Sequence, residues 1–324
     1  MGDQKVINDR TRKYGLDFLK GIAACFVVFM HVRFPGDFGY GIALFGRAAV
    51  PIFFMTSGYF GYGASKEKTL RSIKKTCVYL LVAYILGLIA LPITTGFDME
   101  RLSLLFKNEI FTLKHLIHFV FFTHTIVCGV AWFLISLLLC YVLKYYLGVK
   151  LRYIAYAGLV IRILGAFQNP FLHITVPVNT PWVTGIPFFI IGELIRENED
   201  WITEKIRNTH CVLIALLGAG ILSISFVYPS LFWYIAILML SPALFVLFSR
   251  TEMKFNQVCL LGSVYAFFIY IVHPLVMHIY DAIRPFPSVT ESWLRPLIVL
   301  IITILLAVMY YSIKRLLIKA KDVN

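Results

Sequence analysis

Ten long apolar runs constrain this chain more than any other feature. They lie at residues 14–34, 43–63, 76–96, 127–148, 151–168, 180–196, 210–227, 231–249, 258–280 and 294–315. Lipid cannot hydrogen-bond a peptide backbone, so runs of this length cross a bilayer as helices of about 20 residues. Of the 324 residues, 60% are hydrophobic and 15% are charged, whereas soluble domains average about 45–50% and about 25%. The sequence predicts an all-α, polytopic transmembrane helical bundle of about ten spans, forming a single membrane-embedded domain over 1–324. It excludes a soluble or disordered chain.

Positive charge is concentrated on one side of the predicted membrane, and this sets the orientation of the chain. Of the 30 lysines and arginines, 21 fall on the side of the two termini, six on the opposite side and three within spans. Lysine and arginine accumulate on the cytoplasmic side of membrane proteins, so both termini are predicted to be cytoplasmic. The same asymmetry explains the net charge of +13 without a nucleic-acid partner, and the basic loops can contact anionic membrane lipids.

Two outer stretches are long enough to shape the mouth of a site. Residues 97–126 carry apolar residues at helical spacing, which predicts an outer helical segment lying in the membrane interface. Residues 168–181 are uncharged and contain Asn and Pro. Four tryptophans fall at the outer ends of spans: Trp132, Trp182, Trp233 and Trp293. Indole rings concentrate at membrane interfaces, so we expect an interfacial belt, with stacking against a sugar as the alternative.

Neither the histidines of the outer loops nor the cysteines predict a metal site. The loop histidines His115, His118, His124 and His173 follow no strong ligand spacing. The six cysteines include no CxxC pair. We therefore expect no metal ion and no tightly bound cofactor.

The first span carries three ionisable residues, which are costly in a membrane and therefore candidates for function. In YGLDFLKGIAACFVVFMHV, Asp17 and Lys20 are three residues apart, and His31 follows eleven residues later. This spacing predicts an ion pair and a polar stripe on one helix face, with His31 roughly 16 Å further out than Lys20. Two simpler interpretations stay open. Asp17 and Lys20 can cap the inner helix end, and His31 can be a hydrogen-bonded core residue.

Other spans hold further polar residues, namely Arg47, Arg162, Glu193 and the His273-Pro274 pair. A guanidinium stays charged, so Arg47 is expected to find a carboxylate, phosphate or carbonyl partner. Glu193 lies near the inner end of its span and is expected to pair with a loop arginine. Pro51 and the Ser57-Gly58 pair are expected to interrupt the second span and to leave free carbonyls or amides.

These residues carry a resemblance to a known family. The segment LDFLKGIAACFVVFMH resembles the opening motif of the acyltransferase-3 family of integral membrane acyltransferases, in which an acidic residue, a basic residue and a histidine recur at the positions of Asp17, Lys20 and His31. Arginine is usual in the family where this chain has Lys20. Three later segments, GRAAVPIFFMTSGYF, AWFLISLLL and YAFFIYIVHPLV, are similar to further family motifs, and the second span is most similar to the Gram-positive branch.

The resemblance implies acyl transfer across a bacterial cytoplasmic membrane. Cytoplasmic acyl-CoA would donate an acetyl or succinyl group as co-substrate, and a hydroxyl of an extracytoplasmic glycan or cell-wall precursor would accept it. One family member is thought to move serine, so a transporter of a small polar solute such as an amino acid, or a glycan exporter, is the alternative.

The candidate residues follow from this chemistry. His31 is the expected base or acyl carrier, with Asp17 and Arg47 as further catalytic residues, because a thioester oxyanion needs a donor. Arg162 is a second candidate for that donor. The phosphates of CoA are expected to bind Lys20, Arg162, Lys74 and Lys75. Substrate contacts are expected from Ser57, Trp132 and His273.

Overall fold

The structure, a computed structural model, describes residues 12–110, 112–113, 119, 123, 127–172, 179–225, 232–285 and 287–321. Every regular element in these ranges is a helix. The helices are α1 (Tyr14–His31), α2 (Gly36–Gly46), α3 (Ala49–Gly61), α4 (Lys66–Thr94), α5 (Met99–Leu104), α6 (Trp132–Leu147), α7 (Leu151–Leu172), α8 (Ile186–Glu197), α9 (Glu199–Lys205), α10 (Asn208–Ile224), α11 (Phe232–Arg250), α12 (Gln257–Leu260), α13 (Ala266–Ile283) and α14 (Val289–Lys321). Short π-helical turns over Leu105–Ile110, Pro181–Gly185 and Leu261–Tyr265 follow α5, precede α8 and join α12 to α13.

The all-α bundle is confirmed, and each of the ten predicted runs contains a helix. In the described ranges, seven helical segments are long and apolar enough to cross a membrane. They are Tyr14–His31, Gly36–Gly61, Lys66–Thr94, Trp132–Leu164, Phe232–Arg250, Gln257–Ile283 and Val289–Ile318. The pair α9 and α10, bent by 92°, would make an eighth. The count of ten spans and the cytoplasmic termini stay predictions, and most of the outer segment 97–126 beyond α5 lies outside the described residues.

The chain reverses direction between α6 and α7, as contacts with α8 show. On α6, Ser136 approaches Gly185, whose added Cβ would lie 3.2 Å from the Ser136 Cβ, and Lys144 pairs with Glu193. The earlier residue of α6 thus contacts the turn before α8, and the later residue of α6 contacts α8 itself. The two helices therefore run parallel.

Contacts of α7 with the same helix run the opposite way. Near its start Arg152 pairs with Glu197 at 2.8 Å, and further on an added Cβ on Gly158 would lie 2.0 Å from the Trp182 carbonyl oxygen. Gly148, at the junction of α6 and α7, has φ of 53°, a left-handed conformation that suits glycine. The segment Trp132–Leu164 is therefore two antiparallel helices, as the separate runs 127–148 and 151–168 predicted.

Helices α3 and α8 cross at close range in the core. An added Cβ on Gly58 would lie 1.8 Å from the Phe189 carbonyl oxygen, and one on Gly192 would lie 2.1 Å from the Met55 carbonyl oxygen. The expected interruption at Ser57-Gly58 is wrong, because α3 continues through both and the Ser57 hydroxyl donates to the Phe53 carbonyl at 3.0 Å. Gly58 instead allows the two backbones to approach.

Pro51 does not free a backbone group either. It lies in the first turn of α3, where an N–H has no partner within the helix in any case. The partner expected for Glu193 is also corrected, because Glu193 pairs with Lys144 at the last turn of α6 instead of a loop arginine.

Candidate active site

His31, the last residue of α1, lines a cavity of about 280 Å³, here called the outer cavity because the predicted orientation places it on the extracytoplasmic side. Arg47, Trp132, Trp233 and Tyr234 line the same cavity, and with His31 they come from α1, the α2–α3 junction, α6 and α11. His31 is an exposed residue although it ends a helix of the bundle. The alternative of a packed core histidine is therefore wrong, and the imidazole can meet a ligand that enters this outer cavity.

His273 lies directly behind His31. The ring centroids of the two histidines are 5.3 Å apart, and His273 is fully buried on α13. Its Nδ1 lies 3.0 Å from the Ile269 carbonyl oxygen, which can only accept, so Nδ1 carries the proton in a neutral ring and Nε2 is an acceptor. In the described part of the chain Nε2 has no hydrogen-bond partner. His273 therefore offers an unused proton-accepting atom behind His31 and not a contact inside the cavity.

Two arginines share one tryptophan at the wall of the outer cavity. The Arg47 guanidinium lies 4.9 Å from the Trp233 ring centroid, and that of Arg162 lies 5.5 Å from Trp233 and 5.0 Å from Tyr234. Arg162 is 6% exposed, and its Nε has no hydrogen-bond partner among the described residues. The partner expected for Arg47 was a carboxylate, phosphate or carbonyl. The partner in the structure is an aromatic ring.

The tryptophans do not form one uniform belt. Trp132 and Trp233 are half-buried at the cavity wall, a position that suits stacking against a ligand ring. Trp293 is 43% exposed and contacts Phe38 with ring centroids 5.6 Å apart, as an interfacial indole would. The sequence reasoning missed Trp233 and Tyr234 as site residues. The available signal was their place at the predicted outer start of an apolar run, a place that Trp132 also has.

Lys20, Lys75 and Ser57 line a second pocket of about 310 Å³, here called the inner pocket. Lys20 pairs with Asp17 at 2.8 Å, as predicted, and Lys75 lies 5.5 Å from the Tyr79 ring centroid. Lys74 is exposed and does not line this pocket. The structure thus brings together part of the predicted CoA-binding set, but Ser57 lies with this inner set and not with the predicted substrate contacts Trp132 and His273.

Two predicted site residues lie elsewhere than expected. Asp17 is buried at the inner end of α1, where it also pairs with Arg12 at 2.9 Å. Its separation of 14 residues from His31 corresponds to about 21 Å along the helix, so Asp17 does not contact the imidazole. Arg162 lies by the outer cavity and not with the inner lysines, so the predicted set of CoA-binding residues is divided between the two ends.

Three aromatic residues of the inner pocket form a layer on the side of His31. They are Phe53, Phe133 and Tyr270, with ring centroids 6.2 Å apart for Phe53 and Phe133 and 5.2 Å apart for Phe133 and Tyr270. The Tyr270 ring lies 6.3 Å from that of His273, which contacts His31. The Tyr270 hydroxyl donates to the Val130 carbonyl. No described residue lines both cavities. In this conformation the outer cavity and the inner pocket are therefore distinct.

Metal ligands do not cluster in the described ranges, where no group of three or more His, Cys, Asp or Glu could hold an ion. The loop histidines His115, His118, His124 and His173 lie outside those ranges. The absence of a metal site therefore stays a prediction.

Comparison with protein families agrees with the motifs of α1 and α3. The model of the acyltransferase-3 family, described as an acyltransferase domain, matches residues 13–312, which include both cavities. Comparisons with curated proteins and with solved structures found no match. Because the family match spans nearly the whole chain and includes His31, Arg47 and the inner lysines, the chain belongs to the acyltransferase-3 family of membrane acyltransferases.

Proposed function

We propose that this membrane acyltransferase moves an acetyl or succinyl group from cytoplasmic acyl-CoA to a hydroxyl of an extracytoplasmic glycan or cell-wall precursor. One observation carries the proposal: a single helix, α1, presents Lys20 to the inner pocket and His31 to the outer cavity. The donor and the acceptor then bind at opposite ends of the same helix. The cell membrane of a bacterium, with membrane lipids as its surroundings, is part of this proposal.

The donor is assigned to the inner pocket. CoA carries phosphates, and lysine ammonium groups bind phosphate. Lys75 is the freer of the two pocket lysines, because Lys20 is neutralised by Asp17 and Lys75 has only an aromatic partner among the described residues. Ser57 and Tyr141 add hydroxyl groups to the same wall.

The chemical step is assigned to His31. As a base, its free ring nitrogen takes the proton of the acceptor hydroxyl while the alcohol oxygen attacks the thioester carbonyl. The tetrahedral intermediate then expels the CoA thiolate, which takes the proton back from the imidazole. Alternatively a ring nitrogen of His31 attacks the thioester first, the C–S bond breaks, and the CoA thiolate leaves with the ring proton, which gives an N-acyl imidazole. The acceptor hydroxyl then attacks the acyl group, the C–N bond breaks, and the imidazole takes the hydroxyl proton. In both routes the Arg47 guanidinium is the expected donor to the oxyanion.

His273 is assigned a positioning role. Its ring lies 5.3 Å from that of His31, and its Nε2 is an unpaired acceptor among the described residues. This nitrogen can take a hydrogen bond from His31 and so hold the proton on one chosen ring atom, which leaves the other free to act on the substrate.

Turnover of labelled acyl-CoA by the purified chain in proteoliposomes tests the assignment. His31→Gln should lower turnover by about 10²–10⁴-fold, the usual contribution of a general base, without changing the thermal unfolding midpoint by more than a few degrees. His278→Gln is the matched control. It makes the same change at a histidine on α13, the helix of His273, that lines a different pocket from His31. Normal turnover by His31→Gln would contradict the proposal.

The product is identified in cells. Mass spectrometry of envelope glycans should show a gain of one acyl unit with the wild-type chain and no gain with His31→Gln. Two separate cavities would also suit a transporter of a small polar solute or a glycan exporter. The transport alternative predicts that the chain shows no saturable binding of acyl-CoA and that proteoliposomes containing it take up solute.

A further inference from the structure

The outer cavity carries positive charge that no described residue on its wall neutralises. Arg33 and Arg47 line it, and Arg162 lies directly behind the wall formed by Trp233 and Tyr234. Neither Asp nor Glu occurs among the described lining residues. The outer sequence stretches 111–126 and 173–178, which lie mostly outside the described residues, contain no Asp or Glu either.

The buried charges elsewhere in the described structure are paired. Asp17 pairs with Arg12 and Lys20, and Glu193 pairs with Lys144. The three guanidiniums at the outer cavity contrast with this pattern, since Arg47 and Arg162 make only aromatic contacts among the described residues. Arg33 is exposed, with one long hydrogen bond of 3.5 Å from its Nε to the Met30 carbonyl.

Guanidinium groups that lie close together at the outer cavity without an ion-pair partner are unfavourable unless a ligand neutralises them. An arginine cannot lose its proton, and like charges repel more strongly near a low-dielectric wall than in water. Stabilising one oxyanion in the proposed reaction requires one guanidinium, assigned above to Arg47. Arg33 and Arg162 are therefore available for another negative charge.

We infer that the acceptor is itself an anion: its reacting hydroxyl belongs to a group that also bears a carboxylate or a phosphate. Arg33 contacts that charge at the cavity mouth, and Arg162 attracts it through the Trp233 wall. The ring of the acceptor stacks on Trp132 or Trp233. A volume of about 280 Å³ lies at the low end of the roughly 300–1,000 Å³ of small-molecule sites, so one sugar or a unit of similar size fits. This inference names the acceptor class and rests on the proposed function.

Binding of three matched sugars to the full chain in lipid nanodiscs tests the charge preference. The probes are methyl glucoside, methyl glucuronide and glucose 6-phosphate, with intrinsic tryptophan fluorescence as the signal from Trp132 and Trp233. The two charged sugars should bind at least tenfold more tightly than the neutral one. A charge-assisted hydrogen bond is worth about 1.5–3 kcal/mol, or about ten- to hundredfold. Preference for only one charged sugar supports the inference and identifies the acceptor's group.

Variants of Arg33 and Arg162 test whether these arginines cause the preference for charged sugars. Arg33→Gln and Arg162→Gln should each bring the ratio of charged to neutral binding closer to one, and Arg33→Lys should retain part of it. Arg101→Gln is the matched control, because Arg101 is an exposed outer arginine that does not line the cavity. Equal binding of all three sugars to the wild type would overturn the inference. An unchanged ratio in both glutamine variants would do the same.

Two further measurements separate this inference from the proposed function. Adenosine 3′,5′-bisphosphate, the charged end of CoA, should not displace the charged sugars, and displacement would assign the arginines to CoA and overturn the anionic acceptor. Saturable acyl-CoA binding is measured in the same samples. If the wild-type chain shows no saturable acyl-CoA binding but prefers charged sugars, the acyltransferase proposal is refuted and the sugar preference stands. If it binds acyl-CoA without preferring charged sugars, only the anionic acceptor is refuted.

Discussion

Replacement of Asp17 by asparagine tests whether the Asp17 carboxylate stabilises the fold or takes part in catalysis. The Asp17 carboxylate accepts from Lys20 at 2.8 Å and Arg12 at 2.9 Å, and its side chain is 11% exposed. Asp17→Asn keeps the shape and removes the charge, which leaves Lys20 unpaired with a side chain 17% exposed. Breaking a buried ion pair from one side costs about 3–5 kcal/mol. The Arg12 pair adds at most about 1 kcal/mol, because the Arg12 side chain is 43% exposed.

We therefore expect a loss of about 3–6 kcal/mol in stability. Adding Lys20→Met to Asp17→Asn removes the unpaired charge and should restore part of that loss. Chemical denaturation in detergent, followed by tryptophan fluorescence, gives the free energies for this double-mutant cycle. The distance of about 21 Å between Asp17 and His31 along α1 predicts that turnover per folded Asp17→Asn molecule falls by less than about tenfold, well below the fall expected for a lost general base. A variant that unfolds like the wild type but has no turnover would refute this reasoning and make Asp17 catalytic.

Three further predictions follow from other contacts. Gly58→Ala should destabilise the chain by about 1–3 kcal/mol or more, because its Cβ would meet the Phe189 carbonyl at 1.8 Å, whereas Gly220→Ala, with open space around it, should be neutral or slightly stabilising in thermal unfolding. Burial raises the pKa of Glu199, but hydrogen bonds from Lys13 and Tyr59 outweigh it, so the pKa lies below 4.5. Glu199→Gln should therefore be less stable than the wild type above about pH 5, and the difference should vanish as the pH falls through the lowered pKa, in pH-dependent denaturation. Tyr270→Phe removes the hydrogen bond to the Val130 carbonyl and should loosen the aromatic layer, seen as faster acyl-CoA hydrolysis without acceptor; an unchanged or slower rate would contradict a barrier role.

The helices could be predicted from sequence because lipid leaves the backbone no other choice. Each apolar run 17 or more residues long contains a helix, and even the separation of 127–148 from 151–168 appeared correctly, since Lys150 and Arg152 mark a polar turn. Local signals failed where tertiary packing decided the outcome. Ser57 and Gly58 indicate a break in isolation, but the crossing with α8 requires a glycine within a continuous α3.

The site could be predicted only along one helix. Spacing on α1 correctly paired Asp17 with Lys20, and Lys20 and His31 each line a cavity. No spacing rule connects Arg162 on α7 with Trp233 on α11, because their contact depends on how two distant helices pack. Periodicity cannot distinguish a residue near the inner lysines from one near the outer cavity when both positions lie within apolar runs.

The geometry of α1 itself constrains how a donor can work. A straight helix keeps Lys20 and His31 about 16 Å apart, so no shift of this helix brings them together. In the proposed function, a donor held by its charge at the inner lysines reaches His31 through a long, narrow arm that passes the layer of Phe53, Phe133 and Tyr270. Acyl-CoA has this form, with its phosphates at one end and its thioester at the end of a flexible chain. The proposal therefore expects the aromatic side chains of this layer to rotate during transfer, whereas transport of a whole solute between the two cavities would require the helices that carry those rings to separate.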